Sequence, residues 1–112
     1  MEFHAEKPIY LQIADALCEN ILSGKLQADE RIPSVREYGA QIGVNPNTVM
    51  RTYEKLTADE IIYNKRGIGY FVALDARDKI LEAQKAAFLE DEVPAILRKM
   101  TLLGLDASIF NK

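Results

Sequence analysis

The chain has 112 residues, 48% of them hydrophobic and 28% charged, and its formal net charge is −3 at pH 7, which suits one small domain with an appendage. It contains no apolar run long enough for a membrane helix and no signal-peptide pattern, so we expect a cytoplasmic protein without a membrane partner. A single cysteine excludes an internal disulfide, and a single histidine in a polar tail leaves neither a metal-ligand cluster nor a catalytic spacing, so we expect no metal, no cofactor and no enzymatic activity.

The first predicted element is a helix that begins after Pro8. Its apolar residues recur at every fourth position, at Ile9, Ile13, Leu17 and Ile21. This period gives a helix one apolar face, which we expect to support the core. Cys18 lies beside that face, and its position predicts a buried thiol. Residues 23–25 end the helix.

A capping box opens the second predicted helix. We expect the hydroxyl of Ser34 to accept from the backbone N–H of Glu37, and the carboxylate of Glu37 to accept from the backbone N–H of Ser34. The buried face of this helix comprises Val35, Tyr38 and Ile42. Gly43 ends it, because a helix C-terminus commonly needs a residue in the left-handed conformation.

A third helix is predicted about three residues later. Asn45 suits the N-cap, and Pro46 suits the first helical position, where its missing N–H costs nothing. The inward face of this helix comprises Val49, Tyr53 and Leu56. Two helices separated by so short a turn must cross steeply, which indicates a helix-turn-helix.

The opposite face of the third helix is polar. It carries Asn47, Thr48, Arg51 and Lys55. Such side chains read base edges when a recognition helix lies in the major groove, because Asn pairs with adenine, Arg with guanine, and Thr with a base or a thymine methyl. The alternative is an ordinary solvated helix face. The helix before it and the hairpin after it favour DNA recognition.

A β-hairpin follows this helix. Residues 61–63 and 70–72 are β-branched or aromatic, and two glycines permit a tight turn between them. Lys65 and Arg66 put positive charge at the tip, beside Gly67, where it can meet a phosphate backbone or a minor groove. The fold class is therefore mainly α with a small β-hairpin, a winged helix-turn-helix DNA-binding domain followed by short C-terminal dimerisation helices. We place the domain at residues 1–75 and the dimerisation region at residues 76–112.

The C-terminal region is predicted as two short amphipathic helices. The first covers residues 76–89, Glu90, Asp91 and Glu92 interrupt it, and Pro94 lies in the first turn of the second. Helices this short do not bury their apolar faces alone, which favours a homodimer interface. Its predicted residues are Ile80, Leu81, Phe88, Leu89, Val93, Ile96, Met100 and Leu103. The alternative is that the helices fold back onto their own DNA-binding domain.

The negative net charge is unevenly distributed. Residues 1–30 carry two basic and six acidic side chains, residues 31–72 carry six and four, and residues 73–112 carry six and seven, giving −4, +2 and −1. Positive charge is therefore concentrated in the segment that is predicted to contact DNA.

Three strings in order carry a family resemblance. They are PSVRE at residues 33–37, GVNPNTV at residues 43–49 and RGIGYFV at residues 66–72. With this spacing the chain resembles the GntR family of bacterial transcription regulators, and the VNPNTV segment at residues 44–49 and the short C-terminal region resemble its YtrA-type branch in particular. The resemblance implies a homodimeric winged-helix repressor that binds a palindromic operator and often controls transporter genes. It also implies DNA contacts at Arg36, Asn47, Thr48, Arg66 and Gly67.

We therefore predict a sequence-specific transcription regulator whose partner is double-stranded operator DNA. The full set of predicted DNA-contacting residues is Ser34, Arg36, Asn45, Asn47, Thr48, Arg51, Lys55, Lys65, Arg66 and Gly67. Two alternatives remain open: a winged helix used for protein–protein contact, and a regulator that senses a small-molecule effector at the dimer interface.

Overall fold

The structure, a computed structural model, describes residues 1–111 and divides into two units, Met1–Ile80 and Leu81–Lys112. The elements in the described residues are helices α1 (Ile9–Leu22), α2 (Val35–Ile42) and α3 (Pro46–Ala58), strands β1 (Ile62–Lys65) and β2 (Gly69–Val72), helices α4 (Ala76–Ala87) and α5 (Val93–Leu102), a π-helical turn between them (Phe88–Glu92), and a final 3₁₀ turn (Ala107–Phe110). The order confirms the predicted winged helix-turn-helix, with a long helix after the hairpin. No helix among the described residues has both the length and the apolar character needed to cross a membrane.

Helix α1 packs on the core through most of its predicted stripe. Ile13, Leu17 and Ile21 are buried, whereas Ile9 in the first turn is 44% exposed, so the stripe begins one turn later than predicted. Cys18 is half-buried at the edge of this face rather than fully buried.

The helix-turn-helix forms as its caps predict. Both bonds of the capping box between Ser34 and Glu37 are present, and Gly43 has a φ of 69°. The Asn45 side chain accepts from the backbone N–H of Asn47 at 2.8 Å. Close packing of the turn depends on Gly39, because a Cβ there would lie 2.7 Å from the carbonyl oxygen of Val44.

The predicted hairpin forms, with its strands at Ile62–Lys65 and Gly69–Val72 rather than at residues 61–63 and 70–72, and a third segment joins it. Ile62 pairs with Val72 and Tyr63 with Phe71, and the preceding loop adds an isolated bridge from Arg31 to Phe71. The N–H of Ile32 donates to the Tyr70 carbonyl at 3.0 Å. Further backbone bonds link Asp29 and Glu30 with Val72. The wing is thus attached to the segment that leads into α2.

Tyr53 lies at the centre of the first unit. Its ring is fully buried and meets Tyr70 edge-on at 4.9 Å, and its hydroxyl donates to the Pro33 carbonyl at 2.7 Å. The first turns of α4 join the same core, because Ala76 and Ile80 are only 1% and 2% exposed. Ile80 was predicted to face a dimer partner; it is instead a core residue of its own chain.

The helical segment after the hairpin does not break. Residues 76–102 are helical throughout, and the predicted interruption at Glu90–Glu92 is wrong. The N–H of Val93 donates to the carbonyl of Phe88, five residues earlier, so the turn before Pro94 is widened. A proline inside a regular helix removes one hydrogen bond and presses its ring on the carbonyl four residues before it. A π-helical turn relieves that contact, and the chain continues as α5.

Candidate nucleic-acid interface

A groove separates the N-termini of α2 and α3. The residues that line it, here called the α2–α3 groove, are Val35, Arg36, Asn45, Pro46, Asn47 and Met50. Each N-terminus is fixed by a side-chain cap, and the N–H groups there favour negatively charged ligands. Arg36 lies in the first turn of α2, and Asn47 lies in the first turn of α3. A guanidinium and a side-chain amide therefore share one opening.

A second groove separates the helices from the wing. The residues that line it, here called the wing groove, are Arg31, Ile32, Ser34, Val35, Arg36, Met50, Asn64, Gly67, Ile68, Gly69 and Tyr70. Val35, Arg36 and Met50 line both grooves, so the two form one continuous surface. The predicted residues that this surface brings together are Ser34, Arg36, Asn45, Asn47 and Gly67.

Three other predicted residues of α3 lie outside these grooves. The guanidinium of Arg51 stacks over the ring of Tyr10 in α1, 4.1 Å from its centroid. The Nζ of Lys55 is 2.6 Å from a carboxylate oxygen of Asp59, and this hydrogen bond raises the pKa of Lys55. Thr48 is half-buried. Arg51 and Lys55 are thus held by other residues, and any role they have in reading DNA remains a prediction.

The two predicted cations of the wing, Lys65 and Arg66, occupy different positions. The hairpin loop is closed by a bond from the Ile68 N–H to the Lys65 carbonyl at 2.9 Å, with Gly67 at a φ of 79°. Because side chains alternate along a strand, Lys65 lies on the opposite face of β1 from Asn64, which lines the wing groove. The Nζ of Lys65 is 4.8 Å from the centroid of the Phe71 ring. Arg66 is exposed at the tip itself.

Arg31 and Met50 are two of the lining residues that were not predicted from the sequence. The Nε of Arg31 is 3.0 Å from the position that a Cβ on Gly69 would take, so the arginine lies directly against the wing. Met50 lines both grooves and is 38% exposed. No local sequence pattern indicates either residue. Arg31 is brought to the wing by its β-bridge with Phe71, which is distant in sequence, and Met50 cannot be told from an ordinary apolar residue of a helix.

Most acidic side chains within residues 31–72 take part in caps or ion pairs. The pKa of Glu37 is lowered, first because the Ser34 N–H donates to its carboxylate at 3.1 Å. Asp59 is paired with Lys55, and Glu60 is paired with Lys79 at 2.6 Å. Caps and ion pairs therefore engage three of the four acidic residues within residues 31–72, a range in which the six basic side chains leave a net charge of +2.

The described residues hold no group of three or more His, Cys, Asp and Glu side chains that could bind a metal ion. Cys18, the only cysteine, has its pKa raised to about 11 by burial, with a smaller contribution from Asp15. A protonated thiol is a poor nucleophile and a poor metal ligand.

Known proteins share this arrangement. Residues 9–72 match the family model described as bacterial regulatory proteins, gntR family. The chain is 36% identical over 104 residues to the HTH-type transcriptional regulator YhcF of Bacillus subtilis, covering 93% of this chain and 84% of that one. It is 35% identical over 99 residues to the HTH-type transcriptional repressor YtrA of the same species, covering 88% and 75%.

Solved structures agree with this match. A transcriptional regulator of the GntR family from Bacteroides thetaiotaomicron has a TM-score of 0.80 and 49% identity, covering 91% of this chain and 88% of that one. The DNA-binding domain of AraR, in complex with operator ORX1, has a TM-score of 0.60 and 28% identity, covering 64% and 93%.

Proposed function

Because the chain belongs to the GntR family of bacterial DNA-binding transcriptional regulators, we propose that it is a homodimeric repressor that binds a palindromic operator. A member of this family is a regulator rather than an enzyme. In the proposed complex each protomer places the N-terminus of α3 in a major groove, and its wing lies along the flanking backbone. Such a regulator acts in the cytoplasm, where the DNA is.

The continuous surface formed by the two grooves carries this proposal. It joins Arg36 and Asn47 to the glycine-containing turn of the wing, and Arg36 stands between the two grooves. Arginine pairs bidentately with guanine and asparagine with adenine, and backbone groups at helix N-termini bind phosphate. One face thus offers both base-reading and phosphate-binding groups, as a specific DNA site requires.

Repression is supported by the match to YtrA, a named repressor that aligns with most of this chain. The proposed mechanism is physical, because a protein bound across a promoter excludes the polymerase. Control of transporter genes, which the resemblance suggested, stays a prediction.

Homodimerisation is supported by apolar residues that the second unit leaves exposed. Those exposed by more than a third are Phe88, Leu89, Ile96, Leu97, Leu102, Leu103, Leu105, Ile109 and Phe110. So many large apolar side chains on one short segment indicate an interface. Of the predicted interface residues, Leu81 and Val93 are half-buried, and Met100 is 7% exposed, so Met100 is not available to a partner. A two-fold dimer reads a palindromic site.

The first experiment is fluorescence anisotropy with DNA from upstream of the protein's own operon, against a scrambled duplex, near physiological salt. We expect a large preference for the upstream DNA, and Arg36→Ala should cost on the order of 1–3 kcal/mol of specific binding. Lys25→Ala removes one positive charge from an exposed loop outside both grooves and serves as the control. If Arg36→Ala lost affinity equally for the upstream and the scrambled duplex, Arg36 would not be a base-reading residue. A wild-type protein that binds no DNA even at low salt would contradict the proposal and favour a protein-interaction module.

The second experiment tests the dimer by sedimentation equilibrium. Leu89 is 64% exposed, so Leu89→Asp leaves the fold intact and places a charge on the proposed interface. We expect the wild type to sediment as a dimer and the variant to dissociate at higher concentration. A wild type that remains monomeric while bound to the operator would refute the homodimer.

A further inference from the structure

Met50 is an apolar side chain that lines the α2–α3 groove together with the polar residues Arg36, Asn45 and Asn47. It lies on α3 three residues after Asn47, on the same side of the helix, and both residues line the α2–α3 groove. It also lines the wing groove with Ile68, and Arg36 stands beside it in both grooves. It is 38% exposed, so packing in the core does not account for its position.

The major groove presents one apolar group, the 5-methyl of thymine. A residue that reads thymine needs an apolar surface at the depth of the base edges. Methionine suits this role because its unbranched, polarisable chain adapts to an irregular contact. The three residues between Asn47 and Met50 advance α3 by roughly 4.5 Å. Successive base pairs are about 3.4 Å apart, so the two side chains reach base pairs one or two steps apart.

We propose that Met50 is a specificity-determining residue that contacts the 5-methyl group of a thymine in each half-site, close to the base pair that Asn47 contacts. The inference rests on the proposed docking of α3 in the major groove. Arg36 fixes the protein on the duplex, and Met50 distinguishes a methylated pyrimidine from the other bases by burying that methyl group. Cytosine, which lacks the methyl, leaves the Met50 side chain exposed to water.

The test begins by selecting preferred duplexes from a random pool with the wild-type protein. Each thymine of the selected site is then replaced, one at a time, by deoxyuridine, which removes only the methyl group. We expect affinity to fall about fourfold at one thymine per half-site, since burial of a methyl-sized group is worth about that factor. Replacing that thymine by cytosine should weaken binding further, and 5-methylcytosine should recover about fourfold of the loss.

Two variants assign the effect to Met50. Met50→Ala should bind the thymine and deoxyuridine duplexes equally at that position, whereas Met50→Leu should keep most of the discrimination. Both replace a partly exposed side chain, and circular dichroism verifies that they fold. Deoxyuridine sensitivity that persists in Met50→Ala belongs to another residue, such as the methyl of Thr48, and would overturn the inference.

Wild-type affinity that is unchanged at every thymine would also overturn it, while the selected sequence would still uphold sequence-specific regulation. A pool without any enriched sequence would instead contradict the proposed function and, with it, the role of Met50.

Discussion

Gly39→Ala sets two effects of opposite sign against each other. Within a helix, alanine is favoured over glycine by about 0.8–1.0 kcal/mol. At this position, however, the new Cβ would lie 2.7 Å from the Val44 carbonyl oxygen and 3.6 Å from the nitrogen of Pro46. Both are backbone atoms of the turn, so neither can rotate away.

The contact with the backbone should win. Forcing a methyl group into a well-packed site typically costs about 1–3 kcal/mol. Here the Val44 N–H also donates to the Gly39 carbonyl at 2.9 Å, so the turn is held against α2 by the bond that the shift would stretch. After subtraction of the helix gain, we expect a net loss of stability of up to about 2 kcal/mol. Because the turn sets the angle between α2 and α3, specific DNA affinity should fall as well.

Urea denaturation followed by circular dichroism measures the stability change, and anisotropy with operator DNA measures the affinity. Ala40→Gly is the matched control, because Ala40 is an exposed neighbour in the same helix and reports the propensity term alone. We expect that control to lose about 1 kcal/mol of stability with operator affinity unchanged. A Gly39→Ala protein that is more stable than the wild type would refute the steric argument.

Three further outcomes follow from single contacts. Tyr10→Leu removes the aromatic ring that stacks with Arg51. If Arg51 contacts DNA, anisotropy should show that Tyr10→Leu weakens operator binding by about 0.5–1 kcal/mol, whereas Tyr10→Phe keeps the wild-type affinity. Equal operator affinities of the two variants would show that this stacking does not serve binding. Tyr53→Phe leaves the Pro33 carbonyl without its donor, and urea denaturation should show a loss of about 1–3 kcal/mol; an unchanged midpoint would mean that water replaces the hydroxyl. The raised pKa of Cys18 implies that its thiol favours folding fully below its ordinary pKa of 9.0 and loses this contribution as pH rises toward about 11. The urea midpoint of Cys18→Ala should therefore decrease less between pH 8 and pH 10.5 than that of the wild type. An equal decrease in both proteins would contradict the raised pKa of Cys18.

Local signals were sufficient for much of the fold and for the family. The capping box, the αL glycine at the end of α2 and the Asn45 cap each involve residues within a few positions of one another, and all three are confirmed. The hairpin is confirmed for the same reason, although its strands extend one or two residues further toward the turn than predicted. The GntR family and its YtrA-type branch, which the strings at residues 33–72 indicated, are confirmed by the matches.

Contacts between distant residues were not accessible in this way. Nothing near Arg31 indicates that its side chain lies against Gly69, and nothing near Gly39 shows how close the Val44 carbonyl is. The acidic run before Pro94 suggested a break, but a single π-helical turn accommodates the proline and the helix continues. Arg51 was predicted to contact DNA from helical periodicity alone, and periodicity does not show that the Tyr10 ring lies next to it on a neighbouring helix.

The segment of residues 29–32, which bonds to β2 and leads into α2, affects how the domain folds. Its bonds to the second strand close a loop of roughly forty residues, whereas the hairpin and the helical turns form between near neighbours, and contacts of long sequence separation generally slow folding. We expect these bonds to form late and to open only when the whole unit unfolds, so the amides of Ile32 and Val72 should be among the slowest to exchange with solvent. The wing would then be as persistent as the core, and its orientation toward DNA would be set before any duplex arrives.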